Sequence, residues 1–241
     1  MRLRARLCHT ADTSVVTGIV GAMTDTRTAA DIRTAYLDAA ASATELVAHP
    51  AVAEAWTKPS ALPGFSVGGL AAHLAAQLTY PASAIAAPEP EPAALDLLTH
   101  YSRARWIGQD IDNESNTGIR NRGEAASQAG PEAVAAEARA AHAALVELLA
   151  RVPAGRRVPI NNTVEWTLTV EDLLHTRLLE IVVHSDDLAV SASIPTPELP
   201  ATVTEPVIDL LSRLSVRRHG ATAVLRALSR AERSPATISA L

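Results

Sequence analysis

Apolar residues return at helical spacing along most of the chain. Between Thr28 and about Val52, Ile32, Tyr36, Ala40, Ala43 and Val47 recur every three or four residues, which marks one face of a helix. In KPSALPGFS the breakers Pro59, Pro63 and Gly64 predict a loop. Ser66 then stands where an N-cap belongs, ahead of the helical stretch VGGLAAHLAAQLTY. Pro81 and the run PEPEP at 88–92 are expected to close that helix. A third helical region is expected from near Ala93 to about Asp110. The polar run DNESNTGIRNRG (112–123) reads as a loop or broken helix. From Pro131 to Ala150 the stripe Val134, Ala138, Ala141, Leu145, Leu148 and Leu149 predicts a strong helix, with proline at an early position.

The period then changes. RRVPI, NNT and VEWTLTV predict two short strands around a turn. Thr169 is placed to cap VEDLLHTRLLEIVVHSDDLAV, with Asp172 three residues on. That segment is apolar on most faces, so the helix should be deeply buried. IPTPELP reads as a linker, followed by a helix over about 203–218, a stop at Gly220 and a short helix to about Arg230. Residues 1–24 carry no such period and are expected to be a disordered tail, with Met23 a candidate start. The expected organisation is this tail, a bundle over 25–195, and an extension over 196–241 too short to fold alone and packed on the bundle.

Composition sharpens this picture. Of 241 residues 48% are hydrophobic but 3% aromatic, and the apolar share is mostly Ala, Leu and Val, which favours helices. A net charge of -5 argues against a nucleic-acid partner. Cys8 is the single cysteine, so neither an internal disulfide nor a paired-cysteine zinc site can form. No apolar run approaches the roughly 20 residues that span a bilayer. The N-terminal apolar stretch is short and broken by Thr and Gly, unlike a signal peptide. A soluble, cytoplasmic protein is expected.

The chemistry concentrates in RLLEIVVHSDDL, residues 177–188. Glu180 and His184 are four apart and share one helix face. A carboxylate among Leu, Ile and Val is costly unless it is paired or bound to a metal. A carboxylate and an imidazole one turn apart can reach one cation, and catalytic zinc sites add a third protein ligand and keep a position open. His73, mid-helix among small apolar residues, is the best third ligand. His9, His49, His100, His142 and His219 are weaker, and His175 points off the Glu180 face. The bland alternatives are a Glu180–Arg177 pair, with Arg177 three residues earlier, and a hydrogen-bonded core histidine. Asp187 is placed to orient the His184 ring. Trp56, Trp106 and Trp166 read as packing.

KPSALPGFSVGGLAAHLA and RLLEIVVHSDDLA together resemble the two signatures of the mycothiol-dependent maleylpyruvate isomerase family. The likeness covers roughly residues 27–195, with a looser one in RRHGATAVLRALSR. The resemblance implies a mainly α fold, a DinB-like four-helix bundle, here expected with a small α+β C-terminal extension. It also implies a divalent metal, with zinc expected, held by His73, Glu180 and His184, and the small-molecule thiol mycothiol as cofactor. A thiol at such a metal loses its proton, and the thiolate attacks an electrophilic substrate. Two other readings compete: a metal-dependent hydrolase on the same fold, and a non-catalytic helical regulatory or binding protein.

Overall fold

The computed structural model describes residues 28–104, 107–108, 112–160 and 166–241. The expectations for residues 1–24 and for Trp106 lie outside these residues. Helix α1 (Ala29–Val47) opens at Thr28, whose hydroxyl accepts from the Asp31 amide while the Asp31 carboxylate accepts from the Thr28 amide. It ends sooner than its stripe suggests, because Pro50 starts a separate turn, α2 (Pro50–Glu54), capped by the His49 ring. Helix α3 (Val67–Ala86) begins as expected, with the Ser66 hydroxyl accepting from the Gly69 amide at 2.9 Å.

Pro81 does not end α3; the helix runs through it to Ala86. A proline has no amide, so the carbonyl four residues back loses its helical donor. That carbonyl belongs to Gln77, and the buried Tyr36 hydroxyl of α1 donates to it at 2.9 Å. The cost of the proline is thus offset by a partner from another helix. Replacing Tyr36 with Phe should leave the carbonyl buried and bare and lower stability by about 1–3 kcal/mol. Denaturant titration of the two proteins checks this, and an unchanged midpoint would show that the bond does not support the helix.

The region expected from Ala93 to Asp110 forms a shorter helix, α4 (Leu97–Arg103), capped by Asp96. The polar run expected to be a loop or broken helix lies largely in α5 (Glu114–Ser127), a continuous helix. Two features outweigh its composition. The Asn113 side chain accepts from the amides of Ser115 and Asn116. Gly123 also lets α5 cross α3 closely, since a Cβ there would stand 2.7 Å from the Gly69 carbonyl oxygen. At the crossing the Glu124 carboxylate accepts from the Ser66 amide at 2.7 Å and the Ser66 hydroxyl at 2.9 Å, closing the N-terminus of α3.

Helix α6 (Pro131–Leu149) follows. Strands β1 (Arg157–Pro159) and β2 (Thr167–Thr169) then pair antiparallel, with Val158 opposite Leu168. Thr169 ends β2 and caps α7 (Val170–Ser191) by accepting from the Asp172 amide. Past residue 195 come α8 (Ala201–His219) and α9 (Ala221–Ser229), separated at Gly220, whose φ of +83° suits glycine.

Helices α1, α6, α3 and α7 form the bundle expected of a mainly α, DinB-like fold. Around the ring α1 packs on α6, α6 on α3, α3 on α7, and α7 on α1. The core holds Tyr36, Leu70, Leu74, Leu78, Leu145, Leu174, Leu178 and Ile181, all essentially inaccessible. Each such side chain stabilises the fold by about 1.5–3 kcal/mol. Arg33 ties the far end, pairing with Glu171 at 2.6 Å and donating to the carbonyls of Leu149 and Val152. Val203, Val207, Leu210 and Leu214 are buried along α8, which packs on α7 and α1. Among the described residues no helix is long and apolar enough to cross a membrane.

Candidate metal centre

The α3–α7 contact brings together the three residues singled out from the sequence. His73 projects from α3, and Glu180 and His184 from successive turns of α7. One ligating atom of each lies within 4.8 Å of those of the other two. The His73 and His184 rings meet edge to face, with centroids 4.9 Å apart. The Phe65 ring covers His73 from 5.6 Å.

His184 is held on both sides. Its Nε2 stands 3.1 Å from a Glu180 oxygen and its Nδ1 2.9 Å from an Asp187 oxygen. Asp187 therefore does orient the ring. Both carboxylates act on a ring that is 14% exposed. Burial by itself disfavours the imidazolium, yet the hydrogen bonds to Asp187 and Glu180 outweigh it and raise the His184 pKa to about 9. Glu180 shows the mirror image. Burial pushes its carboxyl up, but the His184 hydrogen bond and the Arg177 charge bring it down to about 2. His73 is lowered to about 4, first by burial and then by the charge of His184. The site thus holds one carboxylate ionised, keeps one imidazole neutral and favours positive charge beside Glu180.

Arg177 does not balance Glu180 by direct contact. Its Nη1 donates to Gln77 Oε1 at 2.8 Å and its Nε to the Thr176 hydroxyl at 3.1 Å. Its guanidinium lies 5.9 Å from the centre of the Tyr80 ring. Gln77 is a residue that sequence reasoning passed over. Its amide nitrogen donates to the His73 carbonyl at 2.8 Å and stands 3.4 Å from His73 Nε2. Arg177 can only donate and a carbonyl can only accept, so these partners fix the orientation of the Gln77 amide. Its position four residues after His73 was the available signal.

Other histidines have structural partners. His175 Nε2 meets the Pro206 carbonyl at 3.1 Å, and His100 Nδ1 accepts from the Trp166 indole at 3.1 Å. The Trp56 indole donates to the Ser127 carbonyl and lies against Gly68.

The family of the mycothiol maleylpyruvate isomerase N-terminal domain matches residues 36–189, well over half of the chain. The chain belongs to this family. No curated protein and no solved structure matches it. The span of the isomerase N-terminal domain takes in both site helices almost entirely and stops before α8. His73, Glu180 and His184 all fall within it, as do Gln77, Arg177 and Asp187.

Proposed function

We propose that this chain is a metal-dependent enzyme that uses a low-molecular-weight thiol of the mycothiol kind as its nucleophile, either a thiol transferase or a maleylpyruvate isomerase-like enzyme. The observation that carries this reading is the convergence of the ligating atoms of His73, Glu180 and His184 within 4.8 Å between two helices of the bundle. These residues would hold the ion, and two imidazoles with one carboxylate are a donor set that suits zinc. Three protein donors leave a position open for a ligand. The site also favours positive charge on the His184 ring, through its hydrogen bonds to Asp187 and then to Glu180. A divalent ion there supplies Lewis acidity, which lowers the pKa of a thiol at its open position.

The chain's own residues do the rest. Asp187 fixes the His184 ring through Nδ1, so that Nε2 faces Glu180. Gln77 ties the His73 backbone to Arg177. Phe65, itself buried, covers the His73 ring, and Glu180 is 14% exposed, so little water reaches the carboxylate. The partners are a small thiol and an electrophilic substrate. The net charge of -5 gives no support to a nucleic-acid partner, and a thiol cofactor would suit the cytoplasm, where thiols stay reduced. Residues 196–241 are read as an extension that completes the bundle's flank.

Metal analysis of the purified protein, then turnover of an electrophile with and without mycothiol, tests the reading. Full occupancy and a thiol requirement are expected. Turnover without thiol would favour a hydrolase, and no metal would favour a non-catalytic protein. A second measurement follows from the pKa values. Between about pH 7 and 8 His73 is neutral and Glu180 ionised, so the ion displaces only the His184 proton. Zinc binding should release about one proton, and affinity should rise with pH until about 9. Calorimetry in two buffers of different ionisation enthalpy reads the proton count directly, and a count near zero would contradict ligation by His184.

A further inference from the structure

Tyr101 on α4 is 4% exposed, and its hydroxyl is buried without a hydrogen-bond partner, the one such side-chain atom among the described residues. A buried tyrosine hydroxyl ordinarily has a partner, because leaving it bare costs free energy. The surroundings of this one are charged. Glu180 and Arg177 both act on it electrostatically, and Arg177 also acts on the adjacent His100.

The position of α4 is fixed rather than incidental. The Leu95 amide donates to the Thr167 carbonyl at 2.9 Å, the Thr167 hydroxyl to the Pro92 carbonyl at 3.1 Å, and the Trp166 indole to His100. These bonds fasten the residues leading into α4, and His100 within it, to Thr167 of β2 and to Trp166 just before it, and β2 runs directly into the Thr169 cap of α7. Tyr101 is thus set on a segment anchored next to β2, close enough to α7 for the charges of Glu180 and Arg177 to reach its hydroxyl. Burial, followed by the Glu180 charge, opposes ionisation of the phenol, so it stays an O–H donor.

We propose that the Tyr101 hydroxyl donates a hydrogen bond to the anionic atom of the small molecule seated against the His73–Glu180–His184 triad. This rests on the metal reading above. The acceptor chemistry is a thiolate sulfur or a carboxylate oxygen. In either case the ligand completes the one buried side-chain donor that is unsatisfied among the described residues, and the Arg177 charge that reaches it favours a negative ligand.

The test uses the full chain, loaded with cobalt(II) for its visible absorption, as wild type and as Tyr101→Phe. Each is titrated with 2-mercaptoethanol and, separately, with acetate. A bond to a charged acceptor is worth about tenfold or more in affinity. The variant should therefore bind at least one of the two anions about tenfold more weakly, and the affected anion identifies the acceptor atom. Its cobalt affinity should match wild type. Its melting temperature should be equal or slightly higher, because the lost hydroxyl had no partner in the fold. Equal affinity of both proteins for both anions overturns the proposal while leaving the metal reading intact. A lower melting temperature with unchanged anion binding also overturns it, by showing a structural partner. Absence of a cobalt band in both proteins overturns the metal reading and this inference together.

Discussion

Replacing Glu180 with Gln is expected to strip the protein of metal, and to do so far more completely than replacing Asp187 with Asn. Glu180 brings the sole negative charge among the three proposed ligands, and it is 14% exposed, so solvent screens it little. At an effective dielectric of about 20, two unit charges about 4 Å apart attract by about 4 kcal/mol, and a dication doubles this. Glutamine keeps the size and one oxygen but loses the charge. An affinity loss of about a thousandfold or more follows. Asp187 acts through the ring of His184, and removal of such a supporting partner costs about 10–100-fold. Metal stoichiometry after dialysis against a weak chelator separates the two variants. Full occupancy in Glu180→Gln would sink the ligand assignment, and with it the proposed thiol chemistry.

The second large effect is expected at a residue that is no ligand. Gly123→Ala should destabilise the protein by about 3 kcal/mol, the upper part of the range for overpacking a tight contact. The new methyl carbon would lie 2.7 Å from the Gly69 carbonyl oxygen and 2.9 Å from the Phe65 ring. The first of these is backbone inside α3 and cannot turn aside. Relief requires α5 to move off α3, which withdraws the Glu124 carboxylate from the Ser66 amide and hydroxyl. The helix that carries His73 then loses the cap of its N-terminus. For a chain of this size the melting temperature should fall on the order of 10 °C. Thermal denaturation followed by circular dichroism checks this. A melting temperature within a degree or two of wild type would show that the α3–α5 crossing has slack.

These two sites differ in how far the sequence reveals them. The stripes of α1 and α6 were readable because apolar residues repeat at one period and that period alone fixes the buried face, and α7 because it is apolar on most faces. His73, Glu180 and His184 stood out because each is a polar group in an apolar setting. What stayed hidden depends on partners distant in sequence. Pro81 looks like a stop until Tyr36 is seen to supply the missing donor to Gln77, 41 residues along the chain. The run 112–123 looks like a loop because its helix draws on Gly69 and Ser66 of another element. Arg177 and Glu180, three apart, suggest a helix pair, but Gln77 takes the guanidinium from 100 residues away. Local rules rank local partners, and the bundle offered better ones.

The break at Pro81 also divides α3 in time as well as in space. With no amide at Pro81, and the Gln77 carbonyl engaged by Tyr36, the ladder of helical bonds is interrupted just past the turn that holds His73 and Gln77. Amides on the His73 side can exchange with solvent only when the bundle opens. Those near Ala84–Ala86 lie past the interruption, where Arg156 donates to the carbonyls of Ile85 and Ala87. The two sides of Pro81 thus hang on different partners, Tyr36 and Arg156, and each should set its own exchange rate.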